Sequence, residues 1–140
     1  MPGPYDALLL DLFGTLVDEV GDAQAGAAEA LRAVSPARYA VVTSCPLRVA
    51  RRLLQMAGLP DPPVLVTAED VAHGKPEPDC YLLAAQRLGV RAERCLVFED
   101  TDHGVAAARA AGMDVIAVGR GRNLGDLTIE IQKDGAIAVR

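Results

Sequence analysis

Three short segments carry residues whose types and spacing could do chemistry. Asp11 ends an apolar run in Leu8-Leu9-Leu10-Asp11-Leu12-Phe13-Gly14-Thr15-Leu16-Val17-Asp18. Lys75 lies in the turn His73-Gly74-Lys75-Pro76-Glu77-Pro78-Asp79, and Glu99 and Asp100 close Leu96-Val97-Phe98-Glu99-Asp100-Thr101. Each segment places charge at the exit of a predicted strand or in a Gly/Pro turn. A parallel α/β sheet gathers such exits into one crevice. Read together, the three segments suit phosphoryl transfer with one part missing. Such chemistry wants a second carboxylate near Asp11, and the chain offers Phe13 instead. Taken singly, each residue has a plainer reading. Asp11 could turn the chain at a strand end, and Lys75 could be a solvated turn residue. Asp100 could cap the helix after it, and Thr43 is β-branched and at home in a strand. Their joint occurrence at successive strand exits singles them out.

The elements that must position these residues alternate along the chain. Ala7–Phe13 reads as a strand buried on both faces, and the Ala-rich Asp22–Val34 as a helix. Tyr39–Thr43 is a second buried strand, and Pro46–Ala57 a helix stopped by Gly58 and Pro60. Val64–Thr67 is a short strand. Pro78–Leu88 is a helix with proline in its first turn and Gly89 past its end. Cys95–Glu99 is a strand, Gly104–Ala111 a helix followed by Gly112, and Val115–Val118 a fifth strand. This β-α-β-α order calls for a parallel sheet with right-handed crossovers and helices on both faces. The tail differs: Leu127–Ile131 and Ala136–Arg140 flank Gln132-Lys133-Asp134-Gly135, whose Asp-Gly pair signals a hairpin. The hairpin either extends the sheet edge or pairs with another subunit, as in a homodimer.

One domain accounts for the 140 residues, with a core over about 6–118 and a loop and hairpin over 119–140. Apolar residues make up 51% and aromatics only 4%, with no Trp, so the core is aliphatic. The apolar runs are short and broken by charge, so none is expected to span a membrane. Met1-Pro2-Gly3-Pro4 does not resemble a signal peptide. A net charge of −5 argues against a nucleic-acid backbone as main partner. Cys45, Cys80 and Cys95 are odd in number and lack CxxC spacing, so neither a disulfide framework nor a zinc site is indicated. These features point to the cytoplasm.

From about Asp6 to Val118 the chain resembles the haloacid dehalogenase-like hydrolase superfamily, whose four motifs occur here in order. The first, Asp-x-Asp-Gly-Thr after a hydrophobic strand, stands as Asp11-Leu12-Phe13-Gly14-Thr15. The second, a Thr or Ser closing the next core strand, is Thr43 in Val41-Val42-Thr43-Ser44. The third, a Lys before a Pro-rich helix start, is Lys75, and the fourth, an acidic pair at a strand end, is Glu99-Asp100. Tyr81-Leu82-Leu83-Ala84-Ala85 and Gly104-Val105-Ala106-Ala107-Ala108 look most like the β-phosphoglucomutase-type phosphatase branch. The resemblance implies a three-layer, Rossmann-like domain with central strands ordered 5-4-1-2-3. It also implies a Mg²⁺-dependent hydrolase acting on a phosphorylated small molecule, or on an accessible phosphate of a larger substrate. Asp11 is then the nucleophile that takes the phosphoryl group. Mg²⁺ is held by Asp11, the Phe13 backbone carbonyl, Asp100 and Glu99. Thr43 hydrogen-bonds a phosphoryl oxygen and Lys75 neutralises charge. Gly14, Thr15 and Ser44 complete the substrate contacts, and N–H groups of the Phe13–Gly14 turn add an anion nest.

Two departures bear on activity. In the family's phosphatases the Asp two residues after the nucleophile protonates the leaving oxygen and later activates water. Phe13 has no proton to exchange, a loss worth about 10²–10⁴-fold. Superfamily dehalogenases also carry an aromatic here, but they dispense with the metal, whereas this chain keeps Glu99-Asp100. The second departure is length: relatives of this branch insert a helical cap between the first two motifs, and only Glu19–Val42 intervenes here. A capless site is expected to be open. The leading reading is therefore a hydrolase of reduced rate. Its rivals are a catalytically weakened phosphate- or metal-binding module working through a partner and, behind that, a haloacid dehalogenase. His73 and His103 are weaker candidates for the absent acid, read more plainly as solvated loop histidines. Cys45 reads as a small buried or half-buried thiol rather than a nucleophile, and Arg120 and Arg122 as solvated loop residues, with binding of an anionic substrate the lesser reading.

Overall fold

The computed structural model describes residues 4–34, 38–119 and 121–140. Strands β1 (Ala7–Leu10), β2 (Tyr39–Val42), β3 (Val64–Val66), β4 (Cys95–Glu99) and β5 (Asp114–Ala117) form one parallel sheet. Their order is β3-β2-β1-β4-β5, the order implied by the family resemblance. All four residues of β1 and β2, and all five of β4, are buried, as their unbroken apolar composition requires of strands covered on both faces.

Side-chain alternation splits the core into two layers. Leu8, Leu10, Val41, Leu96 and Phe98 pack with α1 (Ala27–Val34) and α2 (Leu47–Met56). Leu9, Ala40, Val42 and Val97 pack with α3 (Asp79–Leu88) and α4 (Asp102–Ala110). Small residues on the second face, such as Ala84, Ala85, Ala107 and Ala108, bring these helices close to the sheet. Among the described residues, no helix is long and apolar enough to cross a membrane.

Several boundaries move for reasons visible only in three dimensions. The first strand ends at Leu10 rather than Phe13. Asp11 keeps one bond to Phe98 O at 3.1 Å, and the chain then tightens as Leu12 O accepts the N–H groups of Thr15, Leu16 and Val17. The first helix starts at Ala27 rather than Asp22, because Gly26 has φ +82° and lies against another loop. A Cβ at Gly26 would stand 2.2 Å from Gly125 N. The fourth helix starts at Asp102, two residues before the expected Gly104, and its cap is Thr101, which accepts from Gly104 N at 3.0 Å. The reading of Asp100 as the cap is thus corrected.

The tail forms the expected hairpin, with β6 (Ile129–Ile131) antiparallel to β7 (Ile137–Val139). It is a separate two-stranded sheet and does not extend the edge of the main one. Ile137 and Tyr5 exchange two backbone bonds of 2.7 Å each, and Ile129 and Ile137 join the core layer of α1. Arg120 lies outside the described residues, and Arg122 is exposed.

Candidate active site

The sheet order places β1 between β2 and β4, so Asp11, Thr43 and Glu99-Asp100 leave three adjacent strands at the same end. Lys75 reaches them from the loop before α3. Its ammonium donates to Asp11 Oδ1 at 2.9 Å, Glu99 Oε2 at 2.5 Å and Val42 O at 3.1 Å. Asp11 is 7% exposed and Glu99 fully buried, so Lys75 joins two carboxylates withdrawn from water. Burial pushes the Asp11 carboxyl well above the usual carboxylate range. Lys75 opposes that shift, while Glu99 and Asp100 add to it. Burial would lower the Lys75 ammonium, but Asp11 and Glu99 reverse the effect and hold its proton.

Glu99 Oε2 accepts a second bond, from the Tyr81 hydroxyl on α3. The phenol is itself pushed well up, by burial first and then by Glu99 and Asp11, so it remains a donor. Glu99 Oε1 has no hydrogen-bond partner although it is buried. The carboxylate fits only because residue 104 is glycine: a Cβ there would lie 1.9 Å from Glu99 Cδ. Gly14 does the same for Asp100, whose Oδ2 would be 1.8 Å from an added Cβ, and its φ of +87° suits glycine as well. Thr15 is buried between the two acids, its hydroxyl 3.5 Å from Asp11 Oδ2 and 3.4 Å from Asp100 Oδ1.

Oxygen atoms of Asp11, Glu99 and Asp100 all lie within 4.8 Å of one another. Three carboxylates facing one ammonium leave unbalanced negative charge, and the orphaned Glu99 oxygen lacks a donor. An all-oxygen set of this kind fits a hard divalent cation such as Mg²⁺. Thr43 is buried and its hydroxyl accepts Cys45 N at 3.1 Å, beside a small hollow that also touches Ser44, Gly74 and Lys75. Ser44 is exposed there.

The structure brings Asp11, Thr15, Lys75, Glu99 and Asp100 together and sets Thr43 beside Lys75. It does not draw in the weaker candidates. His73 is exposed and pairs with Asp79 at 3.4 Å, His103 is exposed on the first turn of α4, and Cys45 is half-buried against the core. Phe13 is 49% exposed. Sequence reading missed two participants, Tyr81 and Gly104. Tyr81 had a usable signal, since a tyrosine on an otherwise apolar helix face needs a partner for its hydroxyl.

The model of the family described as haloacid dehalogenase-like hydrolase matches residues 23–112, a span containing Thr43, Lys75, Glu99 and Asp100. Hexitol phosphatase A of Escherichia coli is 55% identical over 80 residues, 57% of this chain and 37% of that protein. The phosphorylated carbohydrates phosphatase of Thermotoga maritima is 42% identical over 94 residues, 65% of this chain and 44% of that one. The matched part of the chain thus spans less than half the length of these curated relatives. A Deinococcus radiodurans hydrolase of the family, solved with bound phosphate and sodium, superposes with a TM-score of 0.77 at 26% identity. That match covers 89% of this chain and 86% of the other. With four family motifs gathered at one sheet end and the family model matching most of its length, the chain belongs to the haloacid dehalogenase-like hydrolases.

Proposed function

We propose that the chain is a Mg²⁺-dependent phosphatase-like hydrolase that transfers the phosphoryl group of a phosphate monoester to Asp11 and then to water. The observation that carries this reading is the Asp11–Lys75–Glu99–Asp100 cluster, with its unsatisfied Glu99 oxygen and paired ammonium. Phosphatase names among the relatives and the phosphate in the Deinococcus radiodurans structure support it. Asp11, Glu99, Asp100 and the Phe13 carbonyl would hold the cation, which supplies charge neutralisation between phosphate and carboxylate. Asp11 Oδ1 is engaged by Lys75 at 2.9 Å and Oδ2 meets the Thr15 hydroxyl only at 3.5 Å, so Oδ2 is assigned the attack. Lys75 opposes the burial-driven rise of the Asp11 carboxyl and orients it, and Thr43, Ser44, Thr15 and Gly14 are assigned to the phosphate. The whole of 1–140 acts as one core domain with an open site.

Phe13 favours a second reading, a weakened phosphate- or metal-binding module acting through a partner. Phosphate release from a panel of esters, with and without Mg²⁺ and with Asp11→Asn as the blank, separates the two. Metal-dependent release abolished by Asp11→Asn is expected. Release no greater than the blank, from folded protein, would leave only the binding module.

A further inference from the structure

Phe13 has two properties that act on the same part of a substrate. It has no proton to give, and its half-exposed ring lines an open hollow of about 410 Å³ together with Gly14, Val20, Gln24 and Asp100. Asp100 also belongs to the carboxylate cluster, so the hollow opens directly beside that cluster. Val20 is 77% exposed, giving the wall a second apolar group. The remaining contributors, Asp18 and Glu19, are acidic, and no Lys or Arg is among the described residues lining it. The Asp18 carboxylate accepts Val20 N at 3.0 Å and Asp22 N at 2.9 Å, which holds this loop in place at the rim.

Building on the phosphatase reading above, we infer that the site selects phosphate esters of uncharged aromatic alcohols of phenol-like acidity over those of sugars and other alkyl alcohols. Asp11 attacks phosphorus, and the P–O bond to the alcohol breaks with its electron pair remaining on the departing oxygen. A water molecule then attacks the aspartyl-phosphate, restores the Asp11 carboxylate and releases phosphate and a proton to solvent. In the first step the departing oxygen receives no proton from the protein. A phenol, with a pKa of about 10, leaves as its anion and takes a proton from water afterwards. An alkanol, nearer the ~15.7 of water, needs the acid that position 13 lacks. The aromatic ring and isopropyl group of the hollow offer a stacking face, while Asp18, Glu19 and Asp100 repel a leaving group that carries its own anion.

The test is kcat/KM, which reports the step that expels the alcohol, across esters of graded leaving-group pKa. The probes are p-nitrophenyl, phenyl and 4-carboxyphenyl phosphate, glycerol 1-phosphate and a hexitol phosphate. The parent protein is expected to fall steeply along the pKa series and to disfavour the carboxyphenyl ester relative to its pKa. Phe13→Asp should raise kcat/KM for the alkyl esters by about 10²–10⁴-fold while changing the p-nitrophenyl ester less than about tenfold. Phe13→Leu, a second variant that needs no new charge in the loop, should raise KM for aryl esters without rescuing alkyl ones. Turnover that depends on Asp11 but is indifferent to the leaving group overturns this inference and leaves the phosphatase reading standing. No Asp11-dependent release from any ester, the p-nitrophenyl one included, overturns both.

Discussion

Replacing Gly104 with alanine should destabilise the protein, against the usual sign of this substitution. In the first turn of a helix, alanine in place of glycine ordinarily stabilises by up to about 1 kcal/mol. Here the new Cβ would lie 1.9 Å from Glu99 Cδ and 2.1 Å from both of its oxygens. Ordinary contact begins near 3.4 Å, so the carboxylate must retreat by roughly 1.5 Å. It has nowhere to go, being fully buried and bonded through Oε2 to both Lys75 and Tyr81. Bonds to a charged group contribute about 1.5–3 kcal/mol each. Losing both, less the helix gain, gives a net cost of about 2–5 kcal/mol. At roughly 3 °C per kcal/mol for a domain of this size, the melting temperature should fall by about 6–15 °C. Urea denaturation and thermal melting measure it, with Gly74→Ala as the control. Gly74 has ordinary backbone geometry and open space around its Cβ position, so its variant should stay within about 0.5 kcal/mol of the parent. A double-mutant cycle with Glu99→Ala isolates the cause, since the cost should vanish once the carboxylate is gone. A Gly104→Ala protein as stable as the parent, or a cost undiminished in the Glu99→Ala background, would refute the close-packing argument.

Other perturbations probe the same cluster and one distant site. Lys75→Met leaves Asp11 and Glu99 buried without their counter-charge, and should cost about 3–5 kcal/mol in urea denaturation at neutral pH. A cost below about 1 kcal/mol would mean the ion pairs are not structural. Tyr81→Phe removes one donor to Glu99 and keeps the ring, so a loss of about 1.5–3 kcal/mol is expected, and none would discount the bond. At the other end of the sheet, Tyr5 donates to Asp114 Oδ2 at 2.8 Å. Burial first, then Asp114, raises its phenol above the usual 10.0. A raised folded-state pKa means the contribution is complete below about pH 10 and lost as pH climbs through the raised value. Melting temperature followed from about pH 8 to 11 should therefore fall more steeply for the parent than for Tyr5→Phe. Parallel profiles would exclude Tyr5 as the titrating group.

The amino-acid sequence by itself determined the elements and where charge leaves them. Cys95–Glu99 is a strand with the bounds its apolar run predicts, and Gly89 ends α3 in the left-handed conformation expected of glycine past a helix. These features depend on residues adjacent in the chain, which is why periodicity and turn chemistry report them. The ordered motifs also named Asp11, Thr43, Lys75, Glu99 and Asp100, and family resemblance supplied the strand order that draws them together. Tertiary structure alone decided what each side chain meets. Lys75 finds Asp11 across 64 residues and Tyr5 finds Asp114 across 109, and no local pattern encodes such pairs. The same holds for α1, shortened because Gly26 meets Gly125, and for the hairpin, which pairs with Tyr5 instead of a sheet edge. Phe13 shows the division most plainly. Its identity announces a missing proton, but only packing determines that the ring stands half in solvent, on the wall of the hollow that reaches Asp100.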